Sequence, residues 1–257
     1  MMPAITYKDA GVDTAEGARA VDAIRDVVRS TYGPEVIGDI GGFGAFFSAS
    51  AFRDMLDPIL VAGADGVGTK LELARRLGDY STVGIDLVAM CANDIVVSGA
   101  RPLFFLDYLA VGRLEAAFAQ AIVTSIADGC RQAGCALVGG ETAEHPGLMK
   151  AGDFDLSGFC VGVVDRQKML GPQSVREGDA ILGLASSGLH SNGFSLVRRA
   201  LTNNLSDQEL AQRELSSKEP LGAALLRATR VYVKPLLAAR DAGLPIHAAA
   251  PLTGGGI

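Results

Sequence analysis

The chain has 257 residues, of which 49% are apolar and 20% are charged, and its formal net charge is −6 at pH 7. This composition is typical of a folded soluble protein with one large domain or two small ones, and it excludes a disordered chain. The negative charge and the lack of a Lys/Arg block argue against nucleic acid or an anionic membrane as the partner. No segment approaches the ~20 apolar residues of a membrane span, and residues 1–9 lack the apolar core of a signal peptide, so we expect a cytoplasmic location.

The first two thirds of the chain alternate between helical and strand patterns. Apolar residues at helical spacing predict helices at 15–31, 69–77, 82–98 and 115–133, with Thr14 as the first N-cap and Gly33–Pro34 as the first stop. Apolar runs predict strands at 43–47, 58–64, 103–111 and 155–164, of which 58–64 is expected to be buried, and a short apolar segment at 135–138. The alternation lacks the strict rhythm of a doubly wound sheet, which indicates an α+β fold.

The polar segment 165–178 is the predicted domain boundary. It divides the chain into an N-terminal domain, residues 1–168, and a second domain, residues 169–257. The second domain is predicted to hold a strand at 180–185 and helices at 194–203 and 221–242. Because the sequence stops just after a triple-glycine turn, we expect this domain to be present only in part, with the apolar side chains of 221–237 uncovered.

The segment Asp65-Gly66-Val67-Gly68-Thr69-Lys70 follows the predicted strand 58–64. It brings together a carboxylate, a flexible backbone, a hydroxyl and an ammonium group, which are the groups needed to hold a metal-bound polyphosphate. It is not a Walker A loop, because Thr69 precedes Lys70, and it lacks the last glycine of a dinucleotide fingerprint. The alternative is a plain strand-to-helix turn in which Asp65 caps the helix and Lys70 is solvated.

Two further carboxylates, Asp94 and Glu141, would complete a Mg²⁺ site with Asp65, since Mg²⁺ prefers carboxylate oxygens shared with phosphates and water. Asp94 lies in an otherwise apolar helical pattern, where an ionised carboxylate costs several kcal/mol unless it is paired or bound to a metal. The alternatives are a buried Asp94 bonded to a backbone amide or to Arg101, and a solvated Glu141 in a loop.

Two glycine- and hydroxyl-rich segments are candidate anion sites. Residues 38–44 form either a turn with several positive-φ positions or a phosphate cover built from backbone N–H groups. Residues 186–193 precede a predicted helix, whose N-terminus would attract an anion. His190, within the second segment, either moves a proton or contacts phosphate, or is a solvated loop histidine.

The four cysteines, Cys91, Cys130, Cys135 and Cys160, form no C-x-x-C pair, and each lies in an apolar segment. This pattern predicts buried, reduced thiols rather than a metal or catalytic role.

Taken together, these segments resemble the phosphoribosylformylglycinamidine cyclo-ligases, or aminoimidazole ribonucleotide synthetases, of purine biosynthesis. The matching blocks run in order along the whole chain: Tyr7–Asp13, Gly41–Gly44, Asp65–Lys70, Gly84–Asp94, Pro102–Tyr108, Gly139–Glu144, Gly158–Val164, Ser186–Ser195 and Leu252–Gly256. The resemblance implies an N-terminal mixed or antiparallel sheet with helices that forms a homodimer, and an α/β sandwich-like second domain. It also implies ring closure of formylglycinamidine ribonucleotide with ATP converted to ADP and phosphate.

The resemblance also suggests roles for the candidate residues, with Mg²⁺ as the metal and a monovalent cation requirement left open. The metal–triphosphate site would be formed by Asp65, Asp94 and Glu141. The ATP phosphates would be contacted by Lys8, Thr69 and Lys70, under a mobile cover formed by Gly41, Gly42 and Gly44. The ribonucleotide would be held by Ser187, His190, Ser191 and Asn192. The candidate catalytic residues are His190, Lys8 and Asp94.

Three other functions compete with this one. Thiamine-monophosphate kinase and selenophosphate synthetase belong to the same superfamily and share the carboxylates, but the blocks Tyr7–Asp13 and Phe104–Tyr108 favour the cyclo-ligase. A chain that dimerises through its first domain without turnover is a non-enzymatic alternative. A dinucleotide oxidoreductase would need a glycine fingerprint that the sequence lacks.

Overall fold

The computed structural model describes Tyr7 and residues 9–254, which fold into an α+β protein. The helices are α1 (Thr14–Arg29), α2 (Lys70–Leu77), α3 (Val83–Val96), α4 (Ala116–Ala133), α5 (Phe194–Val197), α6 (Asp207–Gln212), α7 (Leu221–Leu226) and α8 (Val233–Asp241). The strands are β1 (Val36–Ile37), β2 (Phe46–Phe47), β3 (Pro58–Gly66), β4 (Arg101–Val111), β5 (Ala136–Glu144) and β6 (Phe154–Asp165). A π-helical turn, Arg198–Thr202, extends α5. Within these residues no helix is long and apolar enough to cross a membrane.

The main sheet is mixed, with strand order β3-β6-β4-β5. The pairs β3–β6 and β6–β4 are antiparallel, while β4–β5 is parallel. Helices α3 and α4 cover one face, where Phe105 of β4 and Leu156 of β6 are fully buried. The opposite face is exposed, and Leu60 of β3 retains 62% of its accessible surface. The prediction that this strand is buried was therefore wrong, because β3 lies at the sheet edge and only one of its faces is covered.

The ends of the helices follow from local chemistry. Asp13, rather than the predicted Thr14, caps α1, because its carboxylate accepts hydrogen bonds from the N–H groups of Ala15 and Glu16. Helices α2 and α4 end at Gly78 and Gly134, whose φ angles of 63° and 72° lie in the left-handed region. Glycine adopts this region without the steric cost of a Cβ atom.

The second domain departs most from expectation. Residues 180–185 form no strand, and Ile181 there is 98% exposed, because no described strand pairs with this segment. The expected helix 221–242 is broken between α7 and α8, and the intervening backbone instead binds side chains of the first domain. The apolar residues Leu221, Leu226 and Val233 are buried in the common core, so the expectation that this segment is uncovered was also wrong.

Two smaller predictions have clear outcomes. The strand expected at 43–47 shortens to β2, which pairs with β1 alone. All four cysteines are free and buried, as predicted.

A close contact between α3 and α4 predicts which glycine the fold requires. A Cβ atom at Gly84 of α3 would overlap the backbone of Ser125 and Ile126 in α4, so we expect Gly84→Ala to lower the free energy of unfolding by about 1–3 kcal/mol. Gly17 of α1 is the matched control, because no atom lies within 4 Å of a Cβ atom there. Gly17→Ala should raise stability by about 0.5–1 kcal/mol. Equal effects in urea denaturation would contradict this account of the interface.

Candidate functional site

The loop after β3 presents its polar groups beside the start of α2. The Asp65 Oδ1 atom accepts a hydrogen bond from the N–H of Gly66 at 2.7 Å, and Gly68 turns the chain with a φ of 71°. Thr69, not Asp65, occupies the N-cap position of α2. Its hydroxyl lies 3.2 Å from that of Ser195 in α5, so the loop faces the second domain.

This loop borders a cleft of about 340 Å³. The helix dipole of α2 gives this end of the cleft a positive potential, although the N–H groups of Leu71 and Glu72 donate to the carbonyls of Gly68 and Thr69. The lining residues are Gly68, Thr69, Leu71, Glu72, Arg75, Asp153, Phe154, Asp155 and Arg198. A second cleft, of about 290 Å³, lies around Arg101 and Arg131, away from the predicted site residues.

Asp65 and Asp94 are brought close enough to affect each other. Partial burial, and then the charge of Asp65, raise the pKa of the Asp94 carboxyl. The Asp94 residue keeps much of its surface accessible, which argues against the alternative of a buried Asp94 bonded to a backbone amide or to Arg101. Its neighbour Asn93 makes the interdomain contacts instead, since it donates to the carbonyl of Arg230 at 3.0 Å and accepts from the N–H of Tyr232 at 2.9 Å. Two like charges held together in this way favour the binding of a cation.

Glu141 is not brought to these two carboxylates. The sheet register aligns Asp65 with Asp107 across β6, and places Glu141 in the next row beside Tyr108. Adjacent residues of a strand face opposite sides, so Glu141 projects from the exposed face of the sheet. Three strand spacings of about 4.8 Å also separate β3 from β5 by about 14 Å. Among the described residues, no three His, Cys, Asp or Glu side chains cluster as a metal site.

Lys70 is fully buried rather than solvated. Its Nζ atom lies 2.8 Å from Asp86 Oδ2 and donates to the carbonyl oxygens of His190 at 3.0 Å and Arg227 at 2.9 Å. These three acceptors match the three N–H donors of an ammonium group. In this structure Lys70 therefore has no donor left for an ATP phosphate.

The segment 186–193 packs beside the turn between α7 and α8. The His190 Nε2 atom accepts a hydrogen bond from the N–H of Ser187 at 3.1 Å, so in the neutral ring Nδ1 carries the proton. Burial lowers the pKa of His190 from its ordinary value. Ser187 donates to the carbonyl of Ala228, and Ser191 is buried, whereas Asn192 is exposed.

The predicted glycine cover is anchored at one end. Asp39 pairs with Arg25 at 2.9 Å and with Arg29, both on α1, and the Arg29 guanidinium holds the pKa of the Asp39 carboxyl well below its usual range. The cover glycines Gly41, Gly42 and Gly44 follow at once, and all three are exposed. Lys8, the remaining predicted phosphate contact, lies outside the described residues.

Sequence reasoning missed two buried carboxylates. Asp86 lies in the same apolar helix as Asp94, two turns earlier. Its position in an apolar run was the one sequence feature that could have indicated its burial. Asp107 lies within the apolar strand β4, and burial raises the pKa of its carboxyl to about 7. Its carboxylate lies over Gly140, where a Cβ atom would collide with it.

We expect acid to destabilise the fold through His190. Because its pKa is lowered in the folded chain, the unfolded chain binds more protons, and the stabilisation present above about pH 6.5 is lost as pH falls through the lowered pKa. Urea denaturation between about pH 5 and pH 7.5 measures this slope. The slope should be smaller in His190→Gln, and equal slopes in the two proteins would refute the assignment.

Two solved structures share this fold. Thiamine-monophosphate kinase from Stenotrophomonas maltophilia is 24% identical with a TM-score of 0.55, and the match covers 85% of this chain and 64% of that one. The E. coli hydrogenase maturation protein HypE is 19% identical with a TM-score of 0.54, over 90% of this chain and 61% of that one. At this level of identity the likeness establishes the fold alone.

Sequence comparison is more specific. The N-terminal and C-terminal domain models described as AIR synthase related protein match residues 51–164 and 176–257. A protein named phosphoribosylformylglycinamidine cyclo-ligase from Cyanothece sp. is 49% identical over 276 residues, covering 98% of this chain and 74% of the relative. One of the same name from Thermosynechococcus vestitus is 52% identical over 252 residues, covering 98% of this chain and 72% of the relative. The chain therefore belongs to the phosphoribosylformylglycinamidine cyclo-ligase family of ligases.

Proposed function

We propose that this chain catalyses the ATP-dependent ring closure of formylglycinamidine ribonucleotide to aminoimidazole ribonucleotide, in the purine biosynthesis of the cytoplasm. One observation carries the proposal. About half of the aligned residues are identical to those of relatives named for this reaction, and the alignments cover 98% of this chain. The structure supports it by placing the loop after β3 and the segment 186–193 on either side of one interdomain junction.

The chemistry explains why ATP is needed. An amide oxygen is a poor leaving group, so transfer of the ATP γ-phosphoryl group to that oxygen activates the amide carbon and releases ADP. The neighbouring amine then attacks the carbon, the ring C–N bond forms, and the C–O bond breaks as phosphate departs. The protein has to align the reacting groups, stabilise the phosphate charge and exclude water from the phosphorylated intermediate.

The carboxylates Asp65 and Asp94 fit a magnesium ion. Mg²⁺ is commonly held by one or two carboxylates together with substrate phosphates and water, and these two hard oxygen donors repel each other unless a cation lies between them. When bound, the ion would neutralise charge on the triphosphate. Glu141, on the other face of the sheet, is not part of this pair. We infer that Thr69 and the N-terminus of α2 bind phosphate, and that Gly41, Gly42 and Gly44 cover it.

On the ribonucleotide side, we assign different roles to the four predicted residues. Asn192 is exposed, and the Nδ1 edge of His190 is not used by the hydrogen bond from Ser187, so these two groups would contact the ribonucleotide. Ser187 and Ser191 are engaged with Ala228 and Thr229, so they hold the segment in place. His190 is neutral at pH 7 and would donate or accept a proton at Nδ1.

A thiamine-monophosphate kinase-like phosphotransferase is the second candidate. Its support is the fold shared with the Stenotrophomonas enzyme, which at 24% identity is much weaker than the cyclo-ligase relationship. Phosphorylation of thiamine monophosphate by this chain would favour this second candidate. That reaction is a phosphoryl transfer without ring closure.

The proposal predicts ADP release that depends on formylglycinamidine ribonucleotide. The purified 257-residue chain should release ADP with Mg-ATP and the ribonucleotide, but not with Mg-ATP alone or with thiamine monophosphate. A coupled assay for ADP, with chromatographic detection of aminoimidazole ribonucleotide, measures both products. A folded, ATP-binding chain that releases no ADP under these conditions would contradict the proposal and favour the alternative without turnover.

Paired variants separate the metal site from general surface charge. Asp94→Asn should lower the turnover and the apparent Mg²⁺ affinity by about 10–100-fold, since it removes one of two oxygen ligands. Asp22→Asn is the matched control, because Asp22 is an exposed carboxylate on α1 whose ion pair among the described residues is with Arg25, three positions along the helix. If both variants retain Mg-ATP affinity, the metal assignment is wrong.

We also propose that the chain forms a homodimer through the uncovered face of its sheet. This face exposes Leu60 at 62%, Phe159 at 48% and Tyr108 at 37%, with Ala62 and Ala64 between them on β3. A contiguous apolar sheet face of this kind is costly to leave in water and is typical of a subunit interface. A second copy of the same face is the occupant that the family resemblance implies.

The dimer proposal predicts a change of mass in solution. We expect Leu60→Glu combined with Phe159→Glu to convert a dimer into a monomer, because two charges would be buried at the interface without partners. Light scattering after size-exclusion chromatography gives the mass directly. Leu182→Glu is the matched control, since Leu182 is 85% exposed but lies outside the sheet. A monomeric wild-type chain, or a dimer unaffected by the double substitution, would contradict the proposal.

A further inference from the structure

The ion pair between Lys70 and Asp86 is completely enclosed. Lys70 begins α2 and Asp86 lies in the first turn of α3, and neither side chain has any accessible surface. Removing two charges from water is unfavourable unless their remaining hydrogen-bonding capacity is also satisfied. The hydrogen-bond partners of Lys70 and Asp86 therefore show which segments this ion pair holds in place.

Every one of those groups belongs to the second domain. Lys70 donates to the carbonyl oxygens of His190 and Arg227, at 3.0 and 2.9 Å. Asp86 Oδ1 accepts from the backbone N–H of Thr229 at 2.8 Å and from its hydroxyl at 2.6 Å. The pair thus binds two separate stretches, residues 187–191 and 227–230, to the first domain.

The same two stretches fix the ring of His190. Arg227 Nη1 donates to the carbonyl of Ser187 at 2.8 Å, and the Ser187 hydroxyl donates to the carbonyl of Ala228 at 2.6 Å. The Ser187 N–H then donates to His190 Nε2 at 3.1 Å. Asp86 and Lys70 therefore fix the backbone of residues 227–229, and Arg227 and Ala228 in turn fix Ser187, whose N–H bonds to one nitrogen of the imidazole.

We propose that Asp86 is a positioning residue, which acts through Lys70 and Thr229 to hold His190 in the Nδ1–H tautomer with that edge directed away from Ser187. The bond to Nε2 decides which nitrogen carries the proton, because an acceptor nitrogen cannot also be protonated in the neutral ring. Asp86 contacts no proposed ligand group. The effect of Asp86 on turnover rests on the proposed function, whereas its effect on the His190 imidazole does not.

Nitrogen-15 NMR of the ligand-free chain tests the structural part directly. The chain has three histidines, and the ring signals absent in His190→Gln belong to His190. In the wild type these signals should show protonated Nδ1 and unprotonated Nε2. In Asp86→Asn and Lys70→Met they should move toward the Nε2–H form that predominates in free histidine.

Ser125→Ala is the matched control. Ser125 is also buried, and its hydroxyl joins α4 to α3 by accepting from the N–H of Gly84 at 2.9 Å, while its side-chain hydrogen bonds among the described residues are to residues 81–85 and not to the segment 187–191. This variant should lose stability while the His190 signals stay unchanged. Unchanged His190 signals in a folded Asp86→Asn chain would overturn the proposal.

Thr229 supplies a milder pair of variants if the charge substitutions prevent folding. Thr229→Val removes the hydroxyl that donates to Asp86, whereas Thr229→Ser keeps it. The valine variant should shift the His190 signals and the serine variant should not, and identical signals in both would overturn the proposal.

Kinetics then separates this inference from the proposed reaction. In a chain that shows ribonucleotide-dependent ADP release, Thr229→Val should lower kcat by about tenfold and leave the KM for ATP within about twofold, because the phosphate-binding groups are untouched. A tautomer shift in a chain without ADP release would uphold the positioning role while rejecting the proposed function.

Discussion

The buried ion pair of Lys70 and Asp86 can exist only where the two domains close over it, since neither domain alone supplies the groups that satisfy both charges. Loss of one partner from such a pair typically costs about 3–5 kcal/mol, because the other charge is then buried alone. The pair thus makes the position of the second domain depend on two side chains of the first. The broken helix 221–242 follows from the same constraint, because the residues between α7 and α8 turn their backbone groups toward Lys70 and Asp86.

The elements with strong periodicity could be predicted from the sequence. The limits of α3 and α4 agree with their apolar spacing within two residues, since both helices are packed along most of their length. The burial of β3 was predicted wrongly because both faces of the strand are apolar. An apolar pattern on both faces is the same whether the second face is covered within the chain or left exposed. Segment 180–185 has a strand-like composition but no neighbouring strand, and pairing is a property of the whole fold.

The candidate site was partly predictable for a related reason. Asp65 and Asp94 were singled out by motifs near the ends of β3 and α3, and the structure brings these two ends together. Glu141 does not join them because the side of the sheet that a strand residue faces depends on register, and β5 carries an extra residue, Val138, opposite the Phe105–Leu106 step of β4. The burial of Lys70 had no local signal at all, since its acceptors come from residues more than a hundred positions later.

The ion pairs of Asp39 with Arg25 and Arg29 fix the start of the proposed glycine cover to α1. Only the few residues that follow, Ile40 to Gly44, would then have to be ordered when a ligand binds. The Arg25 and Arg29 side chains that fix it are themselves partly in water. Dissolved salt weakens such partly exposed ion pairs, most of all when the Debye length falls from about 10 Å at 0.1 M toward about 3 Å at 1 M ionic strength. These ion pairs are therefore expected to weaken as ionic strength rises. The proposed cover is expected to open more widely at high salt than in dilute buffer.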